Sequence, residues 1–171
     1  IINIFKELSS HENKLILLSP NLSYEEMINV KALANKLNIK LSGYSPNTID
    51  ESFADDWLKK ADKTANRASF KELEIDETKE FFEKALGEAK TIFVLENSYF
   101  EDKLNLLENK KLISLFSHHC LTVGNSDIAV PVASFYEKSG SYINCDGIRQ
   151  KVVSKLDKNS PMPTITTIIE N

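Results

Sequence analysis

The sequence predicts an α/β domain with a mainly parallel sheet, and three observations lead to this fold class. Short apolar runs alternate with segments whose apolar residues recur at helical spacing, as in strand–helix–strand crossovers. The apolar runs are continuous, which is typical of strands covered on both faces. The chain has 171 residues, of which 42% are hydrophobic and 27% charged, and this suits one domain with a packed core.

The first part of the chain contains one strand–helix–strand unit. Residues 2–8 are interpreted as the end of an entering helix, and residues 14–19 (KLILLS) as a buried strand. Ser23 and Glu26 have the spacing of a capping box, so a helix is predicted to begin after Ser23. Residues 39–44 (IKLSGY) return to the strand pattern. A strand, a helix and a second strand in this order predict a parallel crossover.

The segment 45–75 interrupts this pattern. It is polar and has few regular apolar positions, so we predict a long irregular excursion with at most a short helix near residues 51–60. Trp57 and Leu58 are expected to fix this loop either to the body of the domain or to a partner. Its acidic residues favour a solvated face or a helix N-terminus over acid–base chemistry. These residues are Asp50, Glu51, Asp55 and Asp56.

The regular pattern resumes after the excursion. Asp76 is expected to cap a helix that runs through Leu86 and ends at Gly87. A second helix is predicted over residues 99–110. Three apolar runs predict further strands: 90–96, 112–117 and 127–132. Right-handed crossovers favour the strand order 2-1-3-4-5, so the prediction is a three-layer, Rossmann-like domain.

The end of the chain is expected to be less regular. A short helix is predicted over residues 135–138, followed by Gly140 in a positive-φ C-cap. Two extended segments come next: 141–144 and 148–153. The last residues (161–171) are interpreted as a tail, either a linker or an edge strand, so the domain is predicted to cover residues 1–160.

Composition excludes several classes of function. The net charge of −4 and pI of about 5.5 argue against general nucleic-acid binding and attraction to anionic lipid. Arg67 and Arg149 are the only arginines, so bidentate phosphate contacts are few. Two cysteines, Cys120 and Cys145, are too few for an iron–sulfur cluster, and two thiols in a reducing compartment are the simpler interpretation.

The usual motifs of catalytic and nucleotide sites are missing from the sequence. No Gly-rich phosphate loop follows any predicted strand, and Pro20 removes a backbone donor from the corner after the first strand. His118, His119 and Cys120 are adjacent, so in an extended chain their side chains alternate in direction and do not easily share a metal ion. We therefore predict no catalytic and no metal-binding residues.

Residues 127–150 (DIAVPVASFYEKSGSYINCDGIRQ) carry the most specific pattern. The segment resembles a motif of the molybdopterin oxidoreductase superfamily, A-D-V-V-L-P-A-x-x-x-x-E-K-x-G-T-x-x-N-x-E-G-R-x-Q. Eight residues, which we call the signature residues, stand at matching positions: Asp127, Pro131, Glu137, Lys138, Gly140, Asn144, Gly147 and Gln150. Ser126, Ser141 and Asp146 replace the Ala, Thr and Glu of the motif, and Ile148 replaces its Arg, with Arg149 one place later.

Two further segments refine the resemblance. The family has a G-x-N-P corner after the strand predicted at 90–96, and here the corresponding residues are Leu95 to Ser98, with only Asn97 matching. Residues 55–69 resemble an A-D-K-x-x-N segment of the large iron–sulfur subunit of bacterial NADH:quinone oxidoreductase (complex I). That subunit generally keeps the ancestral cofactor domain as a scaffold without molybdenum.

The resemblance implies that this chain is one structural domain of such a large iron–sulfur subunit, with no cofactor of its own and no activity in isolation. The parent complex would carry iron–sulfur clusters, FMN and NADH. Its partners would be other domains of the same subunit and other peripheral-arm subunits on the cytoplasmic side, without direct membrane contact or nucleic acid.

The alternative is an active molybdenum or tungsten bis-pterin oxidoreductase, such as a formate dehydrogenase. In that case Ser19, Asn97 and Asp127 would be the cofactor contacts. A free-standing nucleotide-binding module is a third and more remote hypothesis.

Overall fold

A five-stranded parallel sheet forms the centre of the computed structural model, which describes residues 13–46, 48–154, 156 and 162–170. Its strands are β1 (Lys14–Leu18), β2 (Lys40–Ser42), β3 (Thr91–Leu95), β4 (Lys111–Phe116) and β5 (Ile128–Pro131). The order β2-β1-β3-β4-β5 and the parallel pairing of all neighbours confirm the predicted fold class.

Helices pack on both faces of this sheet. They are α1 (Tyr24–Leu37), α2 (Ala68–Glu72), α3 (Lys79–Glu88), α4 (Leu121–Gly124) and α5 (Ile165–Glu170). Short 3-10 turns occupy Glu51–Phe53, Ser98–Phe100 and Leu104–Leu107. A separate antiparallel hairpin consists of β6 (Gly140–Ile143) and β7 (Arg149–Val152), in agreement with the two predicted extended segments.

The side chains of β1 supply two hydrophobic cores, because successive residues of a strand point to opposite faces. Ile16 and Leu18 belong to the core that is covered by α1, α2 and α5. Leu15 and Leu17 belong to the core on the other face, which α3 and Phe100 cover. Burial on both faces explains why the predicted strands are continuous apolar runs.

The start of α1 is confirmed in detail. The Ser23 hydroxyl accepts a hydrogen bond from the Glu26 amide, and the Glu26 carboxylate accepts one from the Ser23 amide at 3.0 Å. The helix ends at Leu37, and the next residue, Asn38, caps it in a left-handed conformation (φ 52°).

Some helix boundaries were predicted wrongly. Thr78, not Asp76, caps α3, and the Asp76 carboxylate accepts a hydrogen bond from the Thr78 amide at 2.8 Å. Gly87 does not end this helix, which continues to Glu88. The predicted helix 99–110 is replaced by two 3-10 turns, because Lys103 between them adopts a non-helical φ of −135°.

The connector after β5 also differs from its prediction. Residues 135–137 form turns and not a helix, and Gly140 is the first residue of β6 and not a positive-φ cap. The positive-φ glycine is Gly147 (φ 77°), in the turn between β6 and β7.

The two ends of the chain and the excursion account for the remaining residues. The helix expected at 2–8 lies outside the described residues. Residues 165–170 form α5 instead of the expected linker or edge strand, and they bury Ile165 and Ile168 against the α1 face of the sheet. The domain limits 1–160 and 161–171 stay a prediction. The excursion is mainly irregular, as predicted, and the short helix allowed near residues 51–60 is the 3-10 turn Glu51–Phe53. The helix α2 within the excursion was not predicted.

Across the described part of the chain, every helix is too short or too polar to cross a membrane.

Candidate functional site

The carboxyl edge of the sheet contains the candidate site. Open α/β sheets bind ligands outside the carboxyl ends of their strands, where the crossover direction reverses. In this sheet the reversal lies between β1 and β3. A cavity of about 220 Å³ opens there, lined by residues of the loops after β1, β2 and β3, including Ser19, Ser45 and Glu96.

Asn97 lies at this edge but is occupied by contacts within the chain. Its side-chain amide donates to the carbonyl oxygens of Leu18 at 2.6 Å and Tyr44 at 3.2 Å. Its side-chain oxygen accepts the amide hydrogen of Tyr99 at 3.0 Å. With 1% of its surface exposed, Asn97 joins the loops after β1, β2 and β3 and does not line the cavity.

Ser19 does line the cavity. Its amide donates to the carbonyl of Leu95 at 2.9 Å, and its hydroxyl accepts the amide hydrogen of Asn21 at 3.1 Å. Ser19 and Asn97 were both named from the sequence as contacts of the alternative function, and the structure places both at the same edge.

Asp127 lies at the opposite edge. Its amide donates to the carbonyl of Leu112 at 2.9 Å, and its carboxylate accepts the Leu112 amide hydrogen at 2.8 Å. These two bonds join the amino ends of β4 and β5. The structure therefore separates Asp127 from Ser19 and Asn97, and a ligand at the carboxyl edge would not contact it.

The corner after β3 has an unusual backbone. Glu96 adopts a left-handed φ of 54°, which is uncommon for a residue other than Gly. Its carboxylate accepts a hydrogen bond from the amide of Ser117, after β4, and lies 3.9 Å from Nδ1 of His118. Leu95, which stands at the position of Gly in the G-x-N-P pattern, is buried with only 4% of its surface exposed. The side chains of Leu95 and Glu96 thus make contacts within the chain at this corner.

The electrostatics of the cavity do not favour an anion. Glu96 and Asp102 both line it, and Lys103 is the cation beside them. Lys103 donates a hydrogen bond to Asp102 and lies 5.1 Å from the ring centre of Tyr99. The hydrogen bond from Lys103 lowers the pKa of Asp102, so both groups stay charged and neutralise each other. A phosphate group would meet a net acidic lining.

The two cysteines differ in exposure. Cys120 is half-buried and Cys145 exposed, and neither forms a disulfide. Burial raises the pKa of the Cys120 thiol, and a hydrogen bond to the Glu101 carboxylate adds to the effect, so the thiolate is disfavoured. Within residues 13–46, 48–154, 156 and 162–170, no group of three or more His, Cys, Asp or Glu side chains could hold a metal ion.

The signature residues hold the hairpin against α1. Lys138 donates to the Glu26 carboxylate at 2.7 Å, and these two side chains are only 5% and 3% exposed. The Glu26 carboxylate is also the one that closes the capping box with Ser23. Sequence reasoning found the capping box and the Lys138 position separately, but no local signal could join residues 112 positions apart.

Gly140 is needed for a close approach, not for a turn. A Cβ atom at this position would lie 2.5 Å from Cβ of Ser23, inside the van der Waals distance. The neighbouring amide of Ser141 donates to the Glu25 carboxylate at 2.8 Å. The start of β6 therefore packs directly on the first turn of α1.

The remaining signature residues shape turns and strand ends. The Asn144 side chain accepts hydrogen bonds from the amides of Asp146 and Ile148, and Gly147 completes that turn. Glu137 accepts from the amide of Ser134 at 2.9 Å. Pro131 and Gln150 lie in the strands β5 and β7.

Glu101 was not identified from the sequence. Its carboxylate accepts hydrogen bonds from the amides of Leu121 at 2.8 Å and Thr122 at 3.0 Å, so it caps α4 from a distant loop. Burial alone raises the pKa of Glu101, but hydrogen bonds from Thr122, Cys120 and Leu121 outweigh it and lower the pKa to about 2.

Comparison of the chain with models of known protein families and with curated proteins finds no match in either case.

Proposed function

We propose that this chain is a structural α/β domain of the large iron–sulfur subunit of a complex I-type NADH:quinone oxidoreductase, without a redox centre of its own. The observation that carries the proposal is the buried pair of Lys138 and Glu26. In this pair the signature residue Lys138 contacts Glu26 of α1 and holds the hairpin against that helix, and it does not face a ligand site. The residues that mark the family resemblance thus have a structural role in this chain.

The carboxyl edge supports the same proposal. In a protein that holds a pterin dinucleotide, the protein backbone at the corner after β3 would have to approach the cofactor closely, and a Gly at this corner would allow that approach. Here Leu95 stands at that position, the Asn97 side chain is hydrogen-bonded to backbone groups of the chain, and Lys103 is paired with Asp102. Each of these features favours a scaffold over a cofactor cradle.

In this proposal the surroundings of the domain are those of the parent complex. Its partners are other domains of the same subunit and neighbouring peripheral-arm subunits on the cytoplasmic side of the membrane. The iron–sulfur clusters, FMN and the NADH site belong to those neighbours. The domain contributes folding and contact surface to a complex that passes electrons from NADH to quinone.

Purification of the parent protein from its host tests this proposal. We expect a tagged full-length parent to bring flavin-, iron- and NADH-dehydrogenase-containing subunits with it, and to contain molybdenum and tungsten far below one atom per chain. One molybdenum or tungsten atom per chain, with formate dehydrogenase or similar activity, would establish the bis-pterin alternative and reject the scaffold.

A second test uses the chain alone. Isothermal titration with GTP, whose guanine and phosphates mimic the end of the pterin dinucleotide, is expected to give no binding heat. Binding at micromolar concentration that is lost in Ser19→Trp, a variant that fills the cavity, would contradict the proposal. Tyr136→Ala, far from the cavity, is the matched control.

A further inference from the structure

Two large apolar side chains project from the excursion into water. Trp57 and Leu58 are each 89% exposed, and Trp57 is the only tryptophan of the chain. Of the two expected anchors for this loop, the body of the domain is therefore wrong, and a partner stays a prediction. Tryptophan is among the residues most often found at the energetic centre of protein interfaces, so a fully exposed one needs a reason.

The backbone under these side chains is held in one conformation. One oxygen of the Asp55 carboxylate accepts the amide hydrogens of Trp57, Leu58 and Lys59 at 2.9, 2.7 and 2.9 Å. The Asp55 amide donates to the Lys59 carbonyl at 3.1 Å and closes the turn. These bonds from the amides of Lys59, Leu58 and Trp57 lower the pKa of Asp55. We call residues 55–59 the docking turn.

The base of the docking turn is a short ribbon. Ile49 and Asp62 form an antiparallel bridge, and the Asp50 amide donates to the Ala61 carbonyl at 2.8 Å. Lys60 forms an ion pair with Asp146 of the β6–β7 turn at 3.7 Å. The docking turn is thus ordered before any partner arrives, and this reduces the entropy lost on binding.

The charges around the turn identify the chemistry of the partner. The nearby cations are engaged within the chain: Lys63 pairs with Asp50 at 2.7 Å, and Lys59 lies over the Phe53 ring. Glu51 and Asp56 are exposed and have no ion-pair partner among the described residues. Lys59 keeps its positive charge, but residues 50–63 contain five carboxylates and three lysines, so the charge around the turn is net acidic. A net acidic surface disfavours an anionic lipid surface and favours basic groups on a protein.

We propose that the docking turn inserts Trp57 and Leu58 into an apolar cleft of another protein, whose rim carries Lys or Arg side chains facing Glu51 and Asp56. The apolar pair supplies most of the affinity, and the two carboxylates supply orientation. This inference does not depend on which complex contains the chain.

Photo-crosslinking from position 58 tests the proposal. The full-length protein carries benzoylphenylalanine in place of Leu58, is irradiated in its host cell, and the crosslinked peptide is sequenced. The expected product is a peptide of a different protein, apolar at the crosslink and flanked by Lys or Arg. Crosslinks only to a second copy of the chain, crosslinks to an acidic or wholly polar peptide, or no crosslink would each overturn the proposal.

Variants then test the energetics with the partner identified by the crosslink. Trp57→Ala with Leu58→Ser is expected to weaken its binding at least about tenfold, as for a central interface residue. Glu51→Lys with Asp56→Lys weakens it at low salt, while Tyr136→Ala, an exposed aromatic elsewhere, leaves it unchanged. Equal affinity of the Trp57 variant and the Tyr136 control would refute the docking turn.

A lipid surface is distinguished separately. Because Trp57 is the sole tryptophan, its fluorescence reports directly on the turn. No blue shift is expected with phosphatidylglycerol vesicles at low salt. A shift that saturates with vesicle concentration would assign the turn to a membrane and reject the protein cleft.

Discussion

Replacing Lys138 with Met removes the buried cation that faces Glu26. The two side chains are 5% and 3% exposed, so the energetics are those of a buried pair and not of a surface pair. Lys138→Met leaves the Glu26 carboxylate unpaired in the interior. Its second oxygen, Oε1, already finds no donor in the part of the chain that the structure describes. Breaking a buried pair in this way costs about 3–5 kcal/mol.

This loss is large against the total stability of a domain, which is about 5–15 kcal/mol. With a urea dependence of about 1–3 kcal/mol per molar, a loss of about 3 kcal/mol lowers the unfolding midpoint by about 1–3 M. Far-UV circular dichroism is the suitable signal, because Trp57 is exposed in the folded state and reports poorly on unfolding. The slope of the transition should stay unchanged.

A double-mutant cycle separates the pair from other effects of the substitution. Glu26→Gln keeps an acceptor for the capping box, and the double variant Glu26→Gln with Lys138→Met leaves no buried charge. The double variant should therefore be more stable than the sum of the two single losses predicts. Lys60→Met, at an exposed pair, is the control and should cost less than about 1 kcal/mol. If Lys138→Met costs no more than this control, the reasoning from burial is refuted.

Three further predictions concern the same architecture. Gly140→Ala should destabilise the domain by about 1–3 kcal/mol, because the added Cβ would overpack on Ser23. Gly87→Ala, with open space around its Cβ, should stabilise the domain by about 0.4–1 kcal/mol. Urea unfolding measures both variants, and equal effects would contradict the contact between Gly140 and Ser23. Glu101 has a folded pKa of about 2, below its usual 4.5, so its contribution is present above pH 4.5 and is lost as the pH falls towards 2. The urea midpoint of Glu101→Gln should therefore fall less than that of the wild type between about pH 5 and 2. If the variant and the wild type show the same pH dependence, the prediction is wrong. Trp57→Ala should change the free energy of unfolding by less than about 0.5 kcal/mol, because an exposed side chain contributes to binding and not to folding; a larger loss would mean that it packs on the domain.

The sheet was predictable from the sequence because its signals are local. Four of the five strands, β1, β3, β4 and β5, are short apolar runs, and the Ser23–Glu26 spacing marks the start of α1. The strand order followed from the handedness of crossovers, which does not depend on particular side chains. The alternation of apolar runs with segments of helical spacing was therefore sufficient to predict most of the architecture.

The failures occur where a contact from elsewhere decides the local structure. Residues 99–110 have apolar residues at helical spacing, but the Glu101 carboxylate reaches across to α4 and Lys103 leaves the helical conformation at φ −135°, so the segment forms two turns. Gly140 looked like a helix cap because its partner, Ser23, is far away in sequence. Asp127 was named as a cofactor contact only for the bis-pterin alternative and only from the family resemblance, and the structure places it at the amino edge of the sheet, where the start of the predicted strand 127–132 also puts it.

The corner of residues 96–101 ties the carboxyl edge of the sheet together through three of its side chains. The Glu96 carboxylate accepts a hydrogen bond from the backbone after β4, and the Glu101 carboxylate caps α4. The Asn97 side chain donates to the last carbonyl of β1 and to a carbonyl after β2.

In a sheet that receives a ligand at this edge, comparable backbone groups are free to meet the ligand. Here, opening the edge would leave the buried carbonyl of Leu18 without its donor, at about 1–3 kcal/mol for that group alone. A ligand that needed the backbone groups held by Asn97 would first have to replace these bonds. These bonds therefore oppose any widening of the cavity at this edge, and the docking turn is the surface that we propose for a partner.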